Sequence, residues 1–271
     1  MAENKLTFNK KLIVFDLDGT LTESKASPDK EMARLFTQLL GQKKIAVISG
    51  GRYEQFQDQF LEHLHLSPAL MRNLWLFPTT ATSMYEYRKG PGSASQGGWR
   101  RVYAHMLPLK TRRKIIKTFN DVFKELGYQH PKKVYGELIQ DRGTQIAFTA
   151  VGQDIVEQLG AKRGVAIKLA FRKTGWREKI AAAMQKKLPE LEAKAGGYST
   201  VDVVRKGIDK GYGILQIQKH LHIPIKDMIF IGDQIVPGGN DYAVVKTGVD
   251  YIQVPGPKEA KQVIKKLLAK V

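Results

Sequence analysis

What most constrains this chain is the recurrence of short apolar runs, each closed by turn residues: LIVFDLDG at 12–19, KIAVISGG at 44–51, LWLFP at 74–78, MIFIGD at 228–233 and YIQV at 251–254. Runs of this length that stay apolar at successive positions are strands buried on both faces. Between them the spacing predicts helices over 30–40, after the start signal Ser27, Pro28 and Asp29, and over 53–64, 211–221 and 258–270. Apolar strands alternating with amphipathic helices form a parallel sheet covered on both sides, so the outer segments are expected to build an α/β core.

The middle of the chain reads differently. RKGPGSASQGG at 88–98 is turn-rich, a helix with basic outer positions succeeds it over 110–126, and ELIQDRGTQIAFTAVG at 137–152 alternates about a glycine break, as a hairpin in an open antiparallel sheet does. A helix over 176–188 and the strand STVDVV at 199–204 return the chain to the core pattern. The expected organisation is a core split between 1–84 and 196–271, with an α+β domain inserted at 85–195. There is no internal repeat.

A chain of 271 residues that is 42% hydrophobic can bury a sizeable core. No apolar run approaches the roughly 18 residues of a membrane span, and MAENKLTFNK has no apolar leader core. No membrane partner and a cytoplasmic location are therefore expected. With no cysteine, disulfides and thiolate metal sites are excluded. The formal charge is +18, and residues 86–196 carry 23 basic against 10 acidic side chains, leaving 13 of those charges in the middle segment. An anionic partner and a solvated lysine-rich surface both account for this.

Asp16 and Asp18 come directly after the apolar run 12–15, and residues two apart in an extended chain project to one side. Two carboxylates about 4 Å apart repel by roughly 4 kcal/mol at an effective dielectric of about 20. A cation must answer them. Loops at the carboxyl ends of parallel strands gather distant residues, which would bring Asp16, Asp18, Ser49, Gly50, Asp233 and Asp241 to one crevice. Acidic oxygens without histidine or cysteine suit a hard cation such as magnesium. The loop Ser49–Gly50–Gly51 offers a hydroxyl and backbone amides to a phosphate, with Arg52 opening the next helix. RKGIDKG supplies Lys206 and Lys210, either of which could neutralise phosphate and nucleophile together. These groups together describe phosphoryl transfer through an aspartyl-phosphate.

Taken singly, each piece has a simpler reading. The D-x-D-G stretch could be a turn, although Gly19 stands fourth from Asp16 and not sixth as in a calcium loop. Ser49 could cap a helix, and Lys210 could be one solvated lysine among many. Their order, each after a strand, favours the joint site.

That order resembles the haloacid dehalogenase (HAD) superfamily over nearly the whole chain. FDLDGT is similar to its first motif, VISGG to its second, the lysine of GIDKG to its third and IGDQIVPGGND to its fourth. A cap between the second and third motifs resembles the subgroup of Cof-type sugar phosphatases, sucrose and mannosylglycerate phosphatases and eukaryotic-type phosphomannomutases. GDQIVPGGNDY, GGYSTVDVVRKGIDK and IQDRGTQIAFTAVG are most similar to the mutases.

The resemblance implies a Rossmann-like core with an α+β cap. It implies Asp16 as nucleophile and metal ligand, and Asp18 as acid and base that also lends its backbone carbonyl to magnesium. Ser49 and Lys210 would hold the phosphoryl group, with Gly50 and Arg52 beside it. Asp233 would bind the metal, and Asp241 would orient metal-bound water. In the cap it implies Arg142, Gln153, Thr200 and Asp202 as substrate-contacting positions. The chain departs from the mutase pattern at Gln153, where the mutase hairpin has arginine; a charged clamp for a distal phosphate is lost.

The resulting expectation is a magnesium-dependent phosphatase acting on a small phosphorylated metabolite, by preference a sugar phosphate. The alternative is a phosphomannomutase interconverting mannose 6-phosphate and mannose 1-phosphate. A basic nucleic-acid-binding module is the weaker third reading, since every catalytic position is filled. The mutase resemblance also implies a homodimer through the cap. The pairs His63/His65 and His220/His222 read as surface or helix-end residues, Trp99, Trp176, Tyr85 and Tyr87 as packing within the cap, and the basic C-terminal helix as a cover for the core.

Overall fold

The computed structural model describes residues 9–89 and 97–269. Most of the turn-rich stretch 88–98 lies outside the described residues. Two compact units are present: residues 9–23, 27–89, 97–103 and 209–269 form one, and residues 24–26 with 104–208 form the other.

In the first unit, seven strands form one sheet: β1 (Leu12–Asp16), β2 (Lys44–Ile48), β3 (Leu74–Phe77), β4 (Ser83–Arg88), β5 (Gly98–Ala104), β10 (Met228–Gly232) and β11 (Asp250–Gln253). Their order is β11-β10-β1-β2-β3-β4-β5. β1 lies in register with β10 (Leu12 opposite Met228) and with β2 (Asp16 opposite Ile48), both parallel. Every residue of β1 is buried, which is why its sequence is apolar at successive positions.

Alternate residues serve two cores. Ile13, Phe15, Ile45, Val47, Ile229 and Ile231 face one cluster, which the helices Lys30–Leu40 and Pro257–Leu268 complete. Leu12, Val14, Ala46, Ile48 and Phe230 face another with Ile214 and Ile217 of the helix Lys210–Leu221. The helix Lys30–Leu40 starts where Asp29 accepts the Met32 N–H at 2.8 Å, and buries Met32, Leu35, Phe36, Leu39 and Leu40 at helical spacing. Truncating Phe36, fully buried between Phe15 and Phe60, would cost about 3–5 kcal/mol.

The second unit holds a sheet of four antiparallel strands, β6 (Ile139–Asp141), β7 (Ile146–Thr149), β8 (Leu191–Gly196) and β9 (Thr200–Arg205), in the order β6-β7-β9-β8. Ile146, Phe148, Val201 and Val203 pack on one face against Ile115, Phe119, Ile180 and Met184 of the helices Leu109–Glu125 and Trp176–Lys187. The other face carries Gln140, Ala147, Asp202 and Lys194 in one cross-strand row.

Several expectations shift. The seams fall after residue 103 and before 209, where the sequence placed them near 85 and 195. β4 and β5 extend the first sheet, and their half-exposed, polar residues carry no apolar run to announce them. β9 does not return to the core; it pairs with β7 and β8. The helix expected over 53–64 ends at Gln59, and Leu61–His63 form a separate 3-10 turn. The helix Ala161–Arg172 is an addition to the expected elements. Tyr85, Tyr87 and Trp99 belong to β4 and β5, not to the cap: Tyr85 stacks on Tyr53 at 3.9 Å, and Tyr87 meets Trp99 edge-on. Only Trp176 packs in the second unit, 5.2 Å from Tyr128. His63 hydrogen-bonds Ser27, and His220 stacks on Tyr103. Among the described residues, no helix is long and apolar enough to cross a membrane.

Candidate active site

β1 delivers Asp16 to the carboxyl edge of the sheet, and the chain then turns at once. Gly19 donates its N–H to Thr22 O at 2.7 Å, while Leu21 and Thr22 donate to Leu17 O. Gly19 has φ +88°, and a Cβ there would lie 2.7 Å from Asp233 Oδ2, so the turn needs glycine for conformation and for space. The Asp18 carboxylate accepts from Ser49 Oγ at 3.4 Å and from Gln59 Nε2 at 3.3 Å.

The helix Lys210–Leu221 begins with Asp209 accepting the Tyr212 N–H, which fixes Lys210 as its first residue. Lys210 Nζ lies 2.6 Å from Asp16 Oδ1 and also bonds Asp241 Oδ1. Asp241 Oδ2 accepts the Gln234 N–H at 3.0 Å, and Asp233 Oδ2 accepts from Gln234 Nε2 at 3.0 Å. Of the two lysines offered by RKGIDKG, Lys210 enters the cluster, whereas Lys206 is exposed in the second unit.

The electrostatics are those of a site short of positive charge. Burial raises the Asp16 carboxyl well above its ordinary range, against the pull of Lys210 and with Asp241 and Asp233 adding to the rise. Asp233 is raised for the same first reason, burial. Burial also works against the Lys210 charge, but Asp16 and Asp241 more than offset it, so its pKa is raised. Three carboxylates thus face one ammonium. Asp16, Asp233 and Asp241 each place an oxygen within 4.8 Å of the others, and Asp233 Oδ1 is buried without a hydrogen-bond donor among the described residues. This all-oxygen set fits a hard divalent cation.

Ser49 directly follows β2 and is 1% exposed. Its Oγ accepts the Gly51 N–H at 3.0 Å. The loop is tied from behind: Thr80 donates its N–H to Ser49 O at 2.8 Å, and Thr79 to Gly51 O at 2.7 Å. Thr79, Thr80 and Ala81 all have positive φ (49°, 56° and 61°), a left-handed conformation that costs an L-residue about 1–2 kcal/mol each. A Cβ at Gly50 would meet nothing within 4 Å. Arg52 is exposed, 3.7 Å from Glu54, and does not join the cluster.

In the second unit, Arg142 donates to Gln140 Oε1 at 2.9 Å and to Gln153 Oε1 at 3.4 Å. Gln153 Oε1 also accepts from Lys25 Nζ at 2.6 Å, and Gln153 Nε2 donates to Thr149 Oγ1. Asp202 accepts from Gln145; burial raises its pKa, with Arg142 opposing. Thr200, opposite Thr149, lies two residues before Asp202 on the same face. The sequence reading missed Gln59, Gln145 and Lys25. The glutamines carry no spacing signal; Lys25 comes soon after the first acidic motif, and nothing local marks it.

A buried strand that ends on an acid, beside one lysine and two further acids, is the arrangement of groups that phosphoryl transfer requires. The chain belongs to the haloacid dehalogenase-like hydrolases, whose family model matches residues 13–247. It is 25% identical over 269 residues to a phosphomannomutase of Encephalitozoon cuniculi, covering 97% of this chain and 95% of that protein. It is 24% identical to the phosphomannomutase of Saccharomyces cerevisiae, with 86% and 84% covered. Its fold is similar to that of IMP-bound Plasmodium falciparum IMP-nucleotidase (TM-score 0.66, 18% identity, 97% of this chain and 69% of that one). It is also similar to that of Aspergillus fumigatus trehalose-6-phosphate phosphatase (TM-score 0.53, 15% identity, 97% and 94%).

Proposed function

We propose that this chain is a magnesium-dependent phosphatase acting on a small phosphorylated metabolite, by preference a sugar phosphate. The observation that carries the reading is the buried cluster in which Lys210 joins Asp16 to Asp241, with Asp233 alongside.

Asp16, Asp233 and Asp241 would hold the cation, together with the Asp18 carbonyl that the family resemblance implies; when bound, it supplies positive charge to the phosphoryl oxygens. Asp16 attacks phosphorus through a carboxylate oxygen, and the bond from phosphorus to the leaving oxygen breaks. The Asp18 carboxyl group delivers a proton to that oxygen. The Asp18 carboxylate then takes a proton from water, whose oxygen displaces phosphate from the Asp16 acyl phosphate and restores Asp16. Lys210, the Ser49 hydroxyl and the loop at Gly50 hold the phosphoryl oxygens. Arg142, Thr200 and Asp202 serve substrate selection.

Hydrolysis is preferred to isomerisation because of Gln153. A mutase must grip both ends of a sugar bisphosphate, and here a neutral amide, already shared by Lys25 and Arg142, stands where the mutase pattern has a guanidinium. Phosphomannomutase activity is the second reading, favoured by the near full-length similarity to named phosphomannomutases.

The test is phosphate release from mannose 1-phosphate, mannose 6-phosphate and a wider panel of phosphometabolites, with and without magnesium, beside isomer interconversion primed by a bisphosphate. Magnesium-dependent release, lost in Asp16→Asn, is expected. Interconversion that strictly needs the bisphosphate and frees no phosphate would establish the mutase instead.

A further inference from the structure

The segment Thr79–Ala81 is built in a way that neither the four motifs nor the acid cluster accounts for. Three consecutive residues other than glycine hold left-handed backbone between β3 and β4, with Thr79 and Ala81 buried. Such residues visit that region singly as a rule, and a run of three persists only where the surroundings over-determine it.

The surroundings are specific. On one side, the N–H groups of Thr79 and Thr80 are taken by Gly51 O and Ser49 O. On the other, Tyr103 donates its hydroxyl to Ala81 O at 2.9 Å, and its ring stacks on His220 of the helix that begins at Lys210. That helix approaches closely at Gly213, where a Cβ would lie 2.8 Å from Ile48 Cδ1 and 3.2 Å from the Ala81 Cβ. Within the turn, Thr82 Oγ1 donates to Thr79 O at 2.9 Å.

A trans peptide points its C=O and its N–H in opposite directions. Tying Ser49 O back to Thr80 therefore turns the Gly50 N–H away from the turn, and tying Gly51 O to Thr79 does the same for the Arg52 N–H. The space beside Gly50 is open.

We infer that the left-handed turn Thr79–Thr80–Ala81 is a positioning element for phosphoryl binding: it sets the peptide planes of the Ser49–Gly51 loop and braces them against the helix carrying Lys210. The inference rests on the phosphoryl-transfer reading of the site. The three residues touch no substrate; they act through the loop and the helix.

The test replaces both threonines by glycine, which adopts left-handed backbone without strain but does not enforce it, and separately by asparagine, which tolerates that region better than other residues. The probes are p-nitrophenyl phosphate for turnover with magnesium and orthovanadate for equilibrium binding. Thr79→Gly/Thr80→Gly should melt at or above the parent temperature, yet lose about ten- to a hundredfold in kcat/KM, with orthovanadate affinity falling in parallel. Thr79→Asn/Thr80→Asn should stay within about threefold of the parent. Should the glycine pair melt well below the parent, Tyr103→Phe carries the test on the same two readouts and should weaken both.

A folded glycine pair, or failing that a Tyr103→Phe variant, with parental kcat/KM and parental orthovanadate binding overturns the inference and leaves the phosphatase reading standing. A parent protein that neither turns over p-nitrophenyl phosphate nor binds orthovanadate removes both.

Discussion

Lys210 Nζ sits 2.6 Å from Asp16 Oδ1 with the two side chains only 2% and 4% exposed, and the same ammonium bonds the fully buried Asp241. A single cation therefore holds two carboxylates that water barely reaches. Removing one partner of a buried pair leaves the remaining charge uncompensated, which typically costs about 3–5 kcal/mol. Lys210→Met should lower the unfolding free energy by about that much in urea titrations at neutral pH without metal, and should abolish detectable phosphate release. A variant as stable as the parent would mean that the acids do not depend on this lysine.

Gly19 makes a second point of failure that sequence alone would rate as a turn residue. Its φ of +88° disfavours any side chain, and a Cβ would meet Asp233 Oδ2 at 2.7 Å. Gly19→Ala should destabilise the fold by about 1–3 kcal/mol, and magnesium should raise its melting temperature less than the parent's because Asp233 is displaced. Thermal scans across a magnesium series check both effects; a parental magnesium response would show that Asp233 has room to yield.

Gln153 accepts from Lys25 and from Arg142 through one amide oxygen. Gln153→Arg would place a third positive group there. Affinity for a sugar bisphosphate, measured by inhibition of phosphate release, should rise by about tenfold, while repulsion from Lys25 and Arg142 lowers stability in low salt. Unchanged bisphosphate inhibition would show that residue 153 does not govern bisphosphate binding.

His130 is exposed on one side but lies against Phe123, Tyr128 and Phe148 on the other, and this partial desolvation lowers its pKa below the ordinary 6.5. The unfolded chain then binds the proton more readily than the folded one. The stabilisation is complete above about pH 6.5 and is lost as pH falls through the lower folded value. His130→Phe keeps an aromatic ring in the cluster and has no such proton. Its denaturant midpoint should fall less than the parent's between pH 7.5 and 5.5; equal falls would place the pH dependence elsewhere.

The first unit is legible where burial on both faces forces an apolar run. β1, β2, β3, β10 and β11 coincide with the residues read as strands. The acids Asp16, Asp233 and Asp241 are legible because parallel strands deliver the residues at their carboxyl ends to one edge. β4, β5 and β8 carry at least one half-exposed face and a mixed pattern, so a chain reading that looks for apolar periodicity passes over them and misplaces both seams. β9 reads as a strand but in the wrong sheet, because a strand's sequence states its buried face and not its partner.

By itself, then, the sequence determined the alternation of buried strands and covering helices, and the order in which acids, serine and lysine leave those strands. Both are properties of short segments, set by which side chains water must not reach. Tertiary structure alone decided that Arg52 stays outside the acid cluster, that Lys25 meets Gln153, and that Thr79 and Thr80 tie back the Ser49 loop. Those outcomes depend on distances between segments far apart in the chain, and a hydrogen bond or an ion pair exists only when its two ends arrive within about 3 Å of each other.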